Sequence, residues 1–171
     1  MKNLRMLLAD WGLTKLKIKV PFLEAELAPQ PSDQQAAWEL YVELITRVAT
    51  QPLPDEHGDE KAALESVYQL FSLTREVLKQ NRGCDVFAKV AIPMLNQVIR
   101  PFTAKWHKVS LAGGLVPQTG LDRPGMTTTA AAFRDELAAL QCDLLNYARL
   151  LAELAMVEDL TDIEDLTNPE N

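Results

Sequence analysis

"TTTAAAFRDELAALQCDLLNYARLLAELAMV", residues 127–157, sets Phe133, Leu137, Leu140, Leu144, Ala148, Leu151 and Leu154 three or four positions apart for several turns. Apolar side chains at that interval line one side of an α-helix. A stripe this long has to be covered by other helices, and three further segments of the chain carry stripes that can do so.

The first is predicted over about residues 33–50. Ser32 serves as N-cap with Gln35 completing a capping box, and Pro52 and Pro54 stop the helix. Ala37, Trp38, Tyr41, Leu44, Ile45 and Val48 form its apolar face, while Glu39, Glu43 and Arg47 form a polar ladder on the other side. The second runs over about 59–81, with Asp59 and Glu60 in its first turn and Gly83 after its end. Acidic residues suit the positive end of the helix dipole, and glycine suits the left-handed exit. Ala63, Val67, Leu70, Thr74 and Val77 make its seam, widened by Leu64, Phe71 and Leu78. The third covers about 85–109, with Phe87, Val90, Met94, Leu95, Phe102 and Trp106 on its apolar side. Pro93 and Pro101 lie inside it, and each is expected to bend or open the turn before it.

Near the N-terminus the period changes. "TKLKIKV" and "FLEAEL" alternate polar and apolar residues, which reads as two short strands over residues 14–28. The fold class is therefore mainly α: an antiparallel four-helix bundle with a small N-terminal β-ribbon, as one helical domain over residues 1–157. Trp38, Tyr41, Leu70, Phe71, Leu95, Phe102, Leu140 and Leu144 are the expected core.

Charge divides the chain at residue 158. Residues 158–171, "EDLTDIEDLTNPEN", hold six acidic residues and no Lys or Arg, so the net charge of −7 leaves about −1 for the rest. Such a segment has too little apolar content to pack alone and reads as a solvated tail, or as a docking peptide anchored by Leu160, Ile163 and Leu166. The chain lacks the long apolar run needed to span a bilayer and a signal-peptide cleavage pattern, which points to the cytoplasm and to no membrane partner. Cys84 and Cys142 lack zinc or redox spacing and read as reduced, helix-packing thiols. His57, among Asp55, Glu56 and Asp59, reads as part of a solvated loop, so no metal and no cofactor is expected. "LAGGLVPQTG" lacks the Lys-Ser/Thr of a phosphate loop, and no nucleophilic triad is identifiable.

The polar residues of the third helix carry the chemistry. Asn96, Arg100, Thr103 and His107 are spaced four, three and four, which places them in one stripe, with Trp106 and the 110–126 loop expected to border it. A stripe of this kind is either a solvated face or a site. Arg100 and His107 stand as Arg-x6-His, a spacing that resembles the signature of HEPN domains, helical bundles many of which are metal-independent RNases with the pair contributed from two protomers. The resemblance implies a homodimer and RNA as substrate, with His107 as acid or base at a ribose hydroxyl and Arg100 on the phosphate. Pro101 stands where active members commonly have a polar residue.

Three segments, "AWELYVELITRVATQPL", "SVYQLFSLTREVL" and "LNQVIRPFTAKWH", together resemble uncharacterised helical proteins of bacterial conflict and antiviral defence operons. That resemblance implies a non-catalytic interaction or regulatory subunit that binds a larger protein effector from the same operon. Asn96, Arg100, Thr103, Trp106, His107, Glu43 and Arg47 are the candidate binding residues. Arg100 and His107 are candidate catalytic residues under the RNase reading, and both function classes stay open.

Overall fold

Pro31 fixes the first helical residue of α1 (Pro31–Ile45), because its missing N–H is one that a helix start leaves unbonded anyway. The computed structural model describes residues 29–47, 49–54, 58–115 and 128–161. The expected ribbon at 14–28, His57 and most of the 110–126 loop lie outside them. The described chain is mainly helical, without a strand: α1 is followed by α2 (Glu60–Gln80), α3 (Asp85–Pro93), a π-helical segment (Met94–Ile99), α4 (Arg100–Leu111) and α5 (Thr128–Ala155).

The start of α1 differs from the expectation. The N-cap is Gln30, and Asp33 rather than Gln35 completes the box, its Oδ2 accepting the Gln30 N–H at 2.9 Å. The Asp33 side chain is buried, and its Oδ1 accepts the N–H of Phe87 in the first turn of α3, also at 2.9 Å. One carboxylate thus serves two helix starts, each of which carries N–H groups without helical partners. The far end also comes early: Thr50 donates its hydroxyl to the carbonyl of Leu44 at 2.7 Å, and the chain turns there instead of continuing to residue 50. α2 matches its expected span closely, with Asp59 capping Lys61 and Ala62 and Gly83 taking φ +84° after the helix.

Between Pro93 and Pro101 the third rod widens. The Arg100 N–H reaches back five residues, to the carbonyl of Leu95. Pro101 has no N–H for the carbonyl four residues before it, and its ring would crowd that carbonyl in an α-turn. A π-turn relieves the contact. The turn ahead of Pro93 remains α-helical.

α5 is the central element, and α1 packs along it most extensively. Tyr41, Leu70, Leu95, Phe102, Leu140 and Leu144 are buried as expected, Phe71 is half-buried, and Trp38 is 40% exposed. The Trp38 expectation is corrected because Ala36, Ala37, Leu40, Tyr41 and Leu44 make the buried face of α1, and Trp38 sits at its edge, tilted over Tyr41 at 6.0 Å. Cys84 is buried, and burial pushes its thiol pKa up; Cys142 is exposed on α5 rather than packed.

Two polar ties hold loops to the core. Arg134 of α5 pairs with Glu60 of α2 at 2.8 Å and donates to the carbonyl of Leu53. Beyond α5, Tyr41 accepts the Leu160 N–H at 2.6 Å and donates to Asp159, while Arg149 faces Asp159 at 3.6 Å and Thr161 at 3.2 Å. The chain therefore stays on the helices for four residues past the boundary expected at 157, and the rest of the acidic segment lies outside the described residues.

Candidate functional site: a cationic and aromatic groove

Arg100 opens α4 directly after the π segment, so the wide turn sets which way the helix presents its side chains. Phe102 and Trp106 face α5: Phe102 lies 5.6 Å and Trp106 5.1 Å from the Phe133 ring, and the indole N–H donates to Glu136 at 2.9 Å. Glu136 also pairs with Lys105, whose hydrogen bond is the main reason the Glu136 carboxyl sits below its ordinary pKa, with Trp106 assisting. Trp106 is thus a core residue whose one polar atom is engaged, and it does not border the stripe as expected.

The other side of α4 meets α2. Arg100, Thr103 and His107 line a groove of about 210 Å³ together with Tyr68, Phe71 and Arg75 of α2. His107 lies nearly parallel to the Tyr68 ring, with centroids 6.1 Å apart and planes 15° from parallel. The Arg100 guanidinium lies 5.2 Å from the centre of the Phe71 ring, and its Nε donates to Asn96 Oδ1 at 3.1 Å. A cation over a ring is attracted by the ring's negative face, so Phe71 and Asn96 together orient the guanidinium and leave its outer nitrogens to solvent. Thr103 is buried, and its hydroxyl donates back to a carbonyl of its own helix. No residue lining the groove is acidic.

The structure therefore brings Asn96, Arg100 and His107 together at the rim of one groove and places Thr103 in its floor. Glu43 and Arg47 do other work. Arg47 grips Glu43 at 2.6 Å and donates to Gln69 at 2.7 Å, which ties α1 to α2. Tyr68 and Arg75 escaped the sequence reading, although residues 68, 71 and 75 repeat the three- and four-residue spacing seen on α4. Among the described residues no three of His, Cys, Asp and Glu gather into a group that could hold a metal ion, and no helix is long and apolar enough to cross a membrane. Comparison with protein-family models, with curated proteins and with solved structures returns no match.

Proposed function

We propose that this protein is a non-catalytic interaction subunit of a bacterial antiviral defence system, which binds a larger effector protein through the groove between α2 and α4. The observation that carries the reading is the groove itself: two guanidiniums, Arg75 and Arg100, stand over an aromatic floor with no acidic residue beside them. Desolvated arginines and aromatic side chains are the residues on which protein interfaces most often concentrate their affinity. The defence setting rests on the three-segment resemblance given above, and the cytoplasm on the absence of targeting signals in the sequence.

The scaffold fits an antiparallel four-helix bundle, with the 14–28 ribbon as an appendage. Contacts run in opposite order along neighbouring helices: Arg100 and His107 meet Phe71 and Tyr68, and Gln34 and Ile45 lie beside Met156 and Cys142. The test is co-purification of the full chain with the products of its neighbouring genes. Arg100→Ala/His107→Ala is expected to fold normally and to lose the effector; full retention of binding by the double variant would remove the groove from the argument.

A dimeric RNase of HEPN type is the second reading, favoured by one fact, that Arg100 and His107 line the same groove. Against it, His107 faces no carboxylate that would orient it as a base, and the Thr103 hydroxyl is turned back to its own helix. Cleavage of labelled RNA in EDTA that disappears in His107→Ala would establish this reading in place of the first.

A further inference from the structure

Resting on the groove as a partner surface, we infer that its ligand is a glutamate-bearing acidic peptide segment of the partner, with one carboxylate held between Arg75 and Arg100. The recognising chemistry is on the page. Arg100 is oriented before any ligand arrives, by Asn96 on one side and the Phe71 ring on the other. A guanidinium fixed in this way loses little freedom on binding and offers a planar fork that matches a carboxylate. Arg75 is exposed at the same groove and makes no hydrogen bond or ion pair among the described residues. Two such cations with no counter-ion beside them favour an anion, and the lining supplies no acidic residue to occupy that place. Ala104 and the Tyr68 ring give an apolar wall that suits the methylenes of a glutamate, and the stacked His107 ring gives a flat surface for a peptide plane.

Size and charge select a peptide over a nucleic acid. At about 210 Å³ the groove takes one or two side chains rather than a run of nucleotides. The chain as a whole carries −7, which repels a polyanion at long range, whereas a single carboxylate responds mainly to the two arginines at its side.

The experiment uses the full chain and three fluorescein-labelled probes: a hexaglutamate peptide, the matching hexaglutamine peptide and a poly(U) oligonucleotide. Anisotropy is expected to report binding of hexaglutamate that strengthens as salt is lowered, with no binding of hexaglutamine and weaker binding of poly(U). Arg75→Ala and Arg100→Ala are each expected to weaken hexaglutamate binding at least tenfold, and Lys61→Ala, exposed on α2 outside the groove, to leave it unchanged. The proposal is overturned by equal binding of the two peptides, by no hexaglutamate binding, by indifference to both arginine variants, or by poly(U) binding tighter than hexaglutamate. Failure of the proposed function looks different: an effector captured equally by the wild type and the groove variants, while hexaglutamate still depends on the arginines, sinks the assignment of the groove to that effector and leaves the ligand chemistry standing.

Discussion

Asp33 Oδ1 of α1 accepts the backbone N–H of Phe87 of α3 at 2.9 Å, although the two residues lie 54 positions apart. With the other oxygen on Gln30 N–H, the side chain joins two helix starts inside the core. Hydrogen bonds to a charged group contribute about 1.5–3 kcal/mol each, and removing one partner leaves buried donors unpaired. Asp33→Ala is expected to lower unfolding stability by about 3 kcal/mol in urea titrations. A loss below about 1 kcal/mol would show that water or backbone movement replaces the carboxylate.

Tyr147 poses the opposite case: its hydroxyl is buried and has no hydrogen-bond partner. Tyr147→Phe removes an unpaired polar atom and is expected to be neutral or to stabilise by about 1 kcal/mol. Burial also holds the phenol proton far above its ordinary value of 10.0. Below about pH 10 folded and unfolded chains both keep that proton, so the group adds no pH dependence. Above it only the unfolded chain releases the proton, and stability falls by up to about 1.4 kcal/mol per pH unit. The stability difference between wild type and Tyr147→Phe, measured at pH 9 and at pH 11, should move in the variant's favour at the higher value.

Ending the chain after Val157 should matter more than ending it after Thr161. The shorter chain loses the Leu160 N–H and Asp159 from the Tyr41 hydroxyl and Asp159 from Arg149. A difference of about 1–3 kcal/mol between the two truncations is expected from calorimetry, since Tyr41 is buried and its hydroxyl would be left without those partners. Equal melting temperatures would show that the contacts add nothing.

Trp38→Ala is expected to cost about 1 kcal/mol, well short of the 3–5 typical of a buried tryptophan, because the ring is 40% exposed. A loss above 3 kcal/mol would mean that the Trp38 face is covered in solution.

Much of the helix pattern was legible because its signals are local. Asp59 caps the residues next to it and Gly83 exits beside the helix it ends, so α2 was readable to within a residue. α1 was not, since Asp33 gains its second role from Phe87, which no local rule connects to it. Trp38 was misplaced because a three-and-four pattern fixes a stripe but not how wide the covering partner is. The groove was half legible. Asn96, Arg100 and His107 share one helix and betray themselves by spacing, whereas Tyr68 and Arg75 become site residues only through the pairing of α2 with α4. Trp106 was adjacent in sequence to His107 but, one residue round a helix, belongs to another face.

The π segment makes the third rod sensitive to counting rather than to chemistry. Its wide turn accommodates one residue more than an α-turn would, so deleting any one of Met94–Ile99 and letting the rod close to α-helix would rotate everything after it by about 100°. Phe102 and Trp106 would then be out of phase with Phe133, and Arg100 and His107 out of phase with Phe71 and Tyr68, in a single step. Hydrophobic substitutions of similar volume at the same six positions keep the phase and spare both faces. In this rod a lost codon is therefore far more damaging than a changed one, and the core and the groove on α4 can only shift register together.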